Sequence, residues 1–207
     1  MMKKNRLLIG TGLLLLAAAL FLSVYNVRED KKAGASARTA FEILENDRMG
    51  AEDKETAPLY ERYPQMEMPM VEVEGKRYIG TLELPSLELT LPVMEELSRE
   101  ALKIAPCRYK GSAYSGDLIL AAHNYRSHFG RLSDLGIGDE VAFTDADGNR
   151  FTYRVEEILQ LAGTDVEAME EGEWDLTLFT CTYGGKNRVT VRCTRWEESP
   201  ETTGISP

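Results

Sequence analysis

Hydrophobic and polar positions alternate over the second half of this chain, but its N-terminal part follows a different rule. Residues 7–24 form an uncharged, largely apolar run of eighteen residues. As a helix, at about 1.5 Å per residue, the run is roughly 27 Å long, enough to cross the hydrocarbon core of a bilayer. Lys3, Lys4 and Arg6 precede it, and a basic flank stays in the cytosol, so the rest of the chain is expected outside the cell on a single span. A cleaved signal peptide would have a shorter apolar region followed closely by a small-residue site. The best such site, Ala35-Ser36-Ala37, lies well beyond the run, so an uncleaved anchor is the reading adopted.

Residues 25–75 mix charges with Ala, Met and Pro and carry no sustained strand pattern. A short amphipathic helix is expected over 40–49, and Pro58, Pro64 and Pro69 break up the stretch after it. The segment reads as a stalk. From residue 76 onward short strands separated by turns are predicted over 78–84, 87–93, 117–122, 140–144, 150–159, 176–181 and 188–196, with a helical turn or two over 98–104. The link Asp145-Ala146-Asp147-Gly148-Asn149 predicts a hairpin, because Gly148 tolerates positive φ. Seven or eight short strands without a long helix predict an all-β barrel or sandwich. The organisation expected is thus a basic flank (1–6), a transmembrane anchor (7–24), a stalk (25–75), one β domain (76–196) and a polar, disordered tail (197–207).

Charge and cysteine usage narrow the function. The net charge of −10 and the lack of a basic stripe argue against nucleic acid as a partner. Three cysteines, at 107, 181 and 193, make neither a disulfide framework nor a CxxC zinc site, and no cofactor is expected.

Side-chain parity in the last two strands sorts these thiols. Leu176, Leu178 and Thr180 share one face, and Thr177, Phe179 and Cys181 the other. On the return strand Val189, Val191 and Cys193 share the face expected to be core, and Arg188, Thr190 and Arg192 the outer, polar face. Cys193 is therefore expected buried and inert. Cys181 ends its strand before a Gly-rich turn, where a thiol is accessible. A thiol reacts as thiolate and profits from a base nearby. His123 ends the apolar strand 117–122, and Arg188 is a permanently charged donor for a developing oxyanion. His123, Cys181 and Arg188 together would suffice for thioester chemistry, although each residue type is commoner in structural roles. His128 is read as a surface or packing residue, and Cys107 as part of a connecting loop.

The local motifs add a resemblance. Thr177-Leu178-Phe179-Thr180-Cys181 resembles the TLxTC signature of sortases, followed by an Arg opening the next strand in Asn187-Arg188-Val189-Thr190-Val191-Arg192. Leu120-Ala121-Ala122-His123-Asn124 resembles the strand end that carries the catalytic His of that family. Ile79-Gly80-Thr81-Leu82-Glu83-Leu84-Pro85 and Leu89-Thr90-Leu91-Pro92-Val93 resemble its opening strand pair, and Phe129-Gly130-Arg131-Leu132 with Gly138-Asp139-Glu140-Val141 the segment after the His. The resemblance implies an eight-stranded β-barrel and a cysteine transpeptidase. Cys181 would attack the carbonyl between Thr and Gly of an LPxTG-type motif, Arg188 would stabilise the oxyanion, and His123 would serve as acid and then base. Thr180 and Asn124 are candidate substrate-binding residues. The partners implied are surface proteins with a C-terminal sorting motif, and an amine from a peptidoglycan precursor or a pilin Lys.

Some features depart from the family pattern. Only six residues separate Cys181 from Arg188, and Arg192 is an alternative for the arginine role. The stretch 159–174 has no room for the long helix of class B enzymes, although the His-Asn and His-Phe-Gly-Arg-Leu stretches have a class B character. Subclass stays open between class B-like and class D-like. Glu167, Glu170, Glu171 and Glu173 read as an acidic solvated loop rather than a calcium site. Two rival functions remain: a cysteine peptidase of the same fold that hydrolyses its substrate, and a catalytically silent β-barrel binding module.

Overall fold

The computed structural model describes residues 2–48 and 58–196. Its strands are β1 (Val71–Val73), β2 (Lys76–Leu84), β3 (Leu89–Met94), β4 (Cys107–Lys110), β5 (Leu118–Ala122), β6 (Glu140–Asp145), β7 (Arg150–Ala162), β8 (Leu176–Cys181) and β9 (Asn187–Arg195). Hydrogen bonding runs in the order β1-β2-β3-β4-β5-β8-β9-β7-β6, and β6 also pairs with β2. That last pairing closes eight strands, β2 to β9, into a barrel, while β1 adds a short ladder to the start of β2. Closure demands a close approach at Gly80, where a Cβ would lie only 2.1 Å from the carbonyl oxygen of Thr144. The expected all-β barrel is the observed fold.

The core follows from alternation. Leu82, Val93, Leu120, Phe143, Tyr153, Leu178 and Val191, one from each of seven strands, are all within 3% of full burial. At roughly 25 cal/mol per Å² of apolar surface removed from water, each large side chain stabilises the barrel by about 1.5–3 kcal/mol.

The described residues also form the α-helices α1 (Met2–Arg48), α2 (Leu59–Arg62) and α3 (Val166–Glu170). Between residues 10 and 27 the side chains of α1 are exposed all round, as with Leu16 at 69% and Phe21 at 70%. One 33-residue stretch, Gly10–Glu42, is long and apolar enough to cross a membrane, with a mean hydropathy of 1.8 in its most apolar window.

The stalk expected over 25–75 is not a free spacer in its described residues. The helix runs unbroken past the apolar run, and Ala33, Ala37 and Ala40 are buried against the barrel. Further on, the ring of Tyr60 stacks on Tyr114 at 4.6 Å, and Met68 is buried in the main core. The reason is spacing: positions 33, 37 and 40 fall on one helical face, and alanine lets the helix lie close to the sheet. Residues 49–57 and the tail 197–207 lie outside the described residues.

Candidate active site

The site is built by three neighbouring strands. Strands β5 and β8 run parallel, with Ala121 beside Phe179 and Ala122 beside Thr180. The next residues along the two strands are His123 and Cys181, so both side chains stand where adjacent strands end. Strands β8 and β9 are antiparallel, and their last ladder pair is Cys181 opposite Arg188. Directly opposed residues of an antiparallel pair project to the same face. The two groupings expected from parity meet on one face: Thr177, Phe179 and Cys181 oppose Arg192, Thr190 and Arg188. Residues 182–187 close the hairpin tightly, with Gly184 and Gly185 at φ of 86° and 72° and Thr182 N donating to Asn187 O at 2.9 Å.

That face was expected to be outer and polar, and it is covered instead. Thr177 and Thr190 are 2% and 0% exposed. The cover is α3 with its flanks, whose Met169 Sδ lies 3.9 Å from Thr190 Oγ1. Asp165 caps α3 by accepting from Ala168 N at 3.1 Å, and an Asp before a short apolar-acidic stretch was the available signal for this helix. Between α3 and the strand ends lies a cavity of about 280 Å³. His123, Cys181 and Arg188 all line it, among apolar groups that include Leu97, Leu102, Val166 and Phe179. Tyr109 meets Phe179 edge-on at 5.4 Å and donates to Glu170 Oε1 at 3.1 Å, and Glu170 also pairs with Lys110 at the rim.

The two expected substrate-binding residues go to different places. Thr180 is 3% exposed, and its hydroxyl donates to the Ala122 carbonyl at 2.8 Å. Its hydroxyl thus ties β8 to β5 beside His123 and Cys181 and is not free for a ligand. Asn124 lines a second, smaller groove on the other side of Cys181, together with Thr182, Tyr183 and Val189.

The two arginines also differ. Arg188 donates through Nη1 to the carbonyls of Gly185 and Asn187 at 3.1 and 3.2 Å, and among the described residues it has no carboxylate partner. Its Nε and Nη2 make no hydrogen bond among the described residues. Arg192 is committed elsewhere, paired with Glu157 at 3.1 Å, bonded to the Ala168 carbonyl and lying over the Trp174 ring at 5.4 Å.

Burial and nearby charge tune the imidazoles and thiols. Burial, and secondarily the Lys103 ammonium, hold the pKa of His123 below its ordinary value, so the ring is mostly neutral at pH 7. Its ring lies 5.1 Å from that of Tyr125. His128 is not a surface residue: it is fully buried, and burial followed by the neighbouring His123 brings its pKa down to about 4. Neither ring nitrogen has a well-formed hydrogen bond, and the Asp30 carboxylate, followed by the nearby carbonyls of Ala33 and Ile104, only partly offsets the shift. Cys107 is not in a loop but opens β4. It and Cys193 are both completely buried and free, with thiols pushed up to about 12 by burial. Cys181 is the half-buried, accessible one.

A sequence model described as the Sortase domain matches residues 82–196, more than half of the chain and every strand of the site. The chain belongs to the sortase family. Sortase A of Bacillus anthracis is 26% identical over 121 residues, which cover 56% of this chain and 57% of that protein. Among solved structures, Sortase A from Corynebacterium diphtheriae superposes with a TM-score of 0.54 at 18% identity, covering 89% of this chain and 98% of that one. A Sortase D5 transpeptidase of Clostridium perfringens gives 0.55 at 17% identity, covering 82% and 99%. Sortase C1 from Streptococcus agalactiae gives 0.54 at 21%, covering 77% and 91%. At these identities the likeness is one of fold, and it spans sortases of several classes.

Proposed function

We propose that this sortase is a membrane-anchored cysteine transpeptidase that cleaves an LPxTG-type motif and transfers the acyl group to an amine. The observation that carries the reading is the opposition of Cys181 and Arg188 across β8–β9, with His123 ending the neighbouring strand on the same cavity.

In this reading the Cys181 thiolate attacks the carbonyl carbon between Thr and Gly of the motif. The oxyanion that forms is met by the uncommitted donors of Arg188, a planar, permanently charged fork. Protonated His123 gives its proton to the leaving glycine amine as the C–N bond breaks, which leaves a thioester. Neutral His123 then takes a proton from the incoming amine as that amine attacks, the new amide forms and the thiolate departs. A depressed His123 pKa favours the second role at neutral pH. The acceptor is an amine of a peptidoglycan precursor or a pilin Lys, and the donor is a surface protein with a C-terminal sorting motif.

The domain organisation belongs to the same proposal, with Lys3, Lys4 and Arg6 cytosolic, residues 7–24 spanning the membrane and the barrel outside. Protease added to intact protoplasts then digests the barrel, whereas digestion only after lysis would reverse the orientation. The chemistry is tested with a peptide containing Leu-Pro-Glu-Thr-Gly, with and without triglycine. Cys181→Ala abolishes cleavage, while Cys107→Ala and Cys193→Ala keep most of it. Turnover in Cys181→Ala would sink the mechanism, and hydrolysis that triglycine does not divert would make the enzyme a peptidase.

A further inference from the structure

We propose that Asp30, on the anchor helix, is a positioning residue for His123 and acts through Ser127. The inference rests on the acid–base reading of His123. The Asp30 carboxylate accepts two hydrogen bonds from one residue of the loop that follows β5: Ser127 N donates to Oδ1 at 3.0 Å, and Ser127 Oγ lies 2.8 Å from the same oxygen. The hydroxyl also lies 3.0 Å from the backbone carbonyl of Asp30. Helix and loop are in contact at this point, since a Cβ on Gly34 would stand 3.0 Å from Ser127 Cβ. Ala33 and Ala37 are buried on the same helical face.

The loop transmits this hold to His123. Its ends are pinned to each other by Phe129 N donating to His123 O at 3.2 Å, and its middle by His128 N and Gly130 N both donating to Tyr125 O, at 2.9 and 2.8 Å. Ser127 sits within that compact turn, and Tyr125 supplies the ring against which His123 rests. The imidazole of His123 makes no hydrogen bond to a described residue that would orient it, so its direction depends on the wall that the loop provides. Fixing Ser127 fixes Tyr125 and His128 on either side, and through them the site of proton transfer.

Asp30 lies six residues past Val24, the end of the apolar run, about 9 Å along a helix. The segment that anchors the chain is therefore the one that braces the His123 loop, and a sorting motif would be processed close to the bilayer face.

The test uses the full chain in detergent micelles, the Leu-Pro-Glu-Thr-Gly peptide and triglycine. Rates are expressed per folded site, counted by native alkylation of Cys181. Asp30→Ala is expected to lower kcat by roughly ten- to a hundred-fold, the scale of a small misplacement of a reacting group, with KM changed less than about twofold because Asp30 does not line the cavity. Amide exchange over residues 124–130 is expected to accelerate in the same variant. Asp30→Asn keeps an acceptor for Ser127 N and should recover most of the rate, a rescue that a merely stabilising contact would not give once folded sites are counted. Gly34→Leu, which pushes helix and loop apart without touching Asp30, should reproduce the loss. Wild-type kcat per folded site in Asp30→Ala overturns the inference, whether or not exchange changes. His123→Ala measured alongside separates the two failures: if it too keeps wild-type kcat, the acid–base reading falls, and the positioning role with it.

Discussion

The guanidinium of Arg192 donates through Nη2 to the backbone carbonyl of Ala168 at 2.6 Å, joining β9 to the helix that walls the cavity. Its Nη1 pairs with Glu157, and the side chain is only 12% exposed. Arg188, four residues earlier and roughly 13 Å away along the strand, is the arginine opposite Cys181. One face of one strand thus carries two arginines, one facing the Cys181 thiol and the other supporting the wall.

This division predicts two kinetic signatures. Under the proposed mechanism Arg188→Ala removes an oxyanion donor, which costs about 3–4 kcal/mol, or a hundred- to a thousand-fold in kcat. Arg188→Lys keeps the charge without the fork and should recover only part of it. Arg192→Ala leaves kcat nearly intact but loosens α3, so KM rises. Steady-state kinetics on the three variants decide the matter, and a crippled kcat in Arg192→Ala with a normal Arg188→Ala would move the oxyanion role to Arg192.

Much of this was legible because strands announce themselves by period. The alternation of Leu176, Leu178 and Thr180 against Thr177, Phe179 and Cys181 sorted the faces of β8, as that of Val189, Val191 and Cys193 did for β9, and the short hairpin between them sets Cys181 opposite Arg188. The elements that escaped have little period to show. Strand β4 has four residues, β1 three and α3 five, and tertiary contacts rather than local pattern hold each in place. The docked part of α1 was hidden because Ala33, Ala37 and Ala40 add little hydrophobic contrast to a helix already expected for another reason. The hydroxyl of Thr180 could not be assigned from sequence, since its acceptor, the Ala122 carbonyl, is a backbone atom 58 residues away.

The three thiols should separate by accessibility. Cys107 and Cys193 are buried with pKa values pushed up to about 12, so their thiolate is scarce and shielded. Brief treatment of the native protein with iodoacetamide, followed by peptide mass spectrometry, should modify Cys181 alone. Denaturant should then expose all three. Native modification of Cys193 at a rate comparable to Cys181 would mean that its face of β9 is not core.

The buried His128 predicts a pH dependence of stability that a single substitution removes. Its folded pKa of about 4 lies below the ordinary 6.5, because burial and the neighbouring His123 disfavour the charged ring. Between these two values the unfolded chain binds a proton that the folded protein refuses, so stability falls as pH drops from 6.5 to 4 and this contribution levels off below. The full loss from this one group is about 3 kcal/mol. His128→Leu has no such proton to bind. It forfeits some packing against Tyr125, whose ring is 5.6 Å away, but that cost is the same at every pH. Urea unfolding of both proteins at pH 7 and pH 4 therefore isolates the effect: wild type should lose about 3 kcal/mol more than the variant over that interval. Equal losses would show that His128 is solvated or well hydrogen-bonded in the folded protein, and that the contact between α1 and the loop after β5 opens in solution.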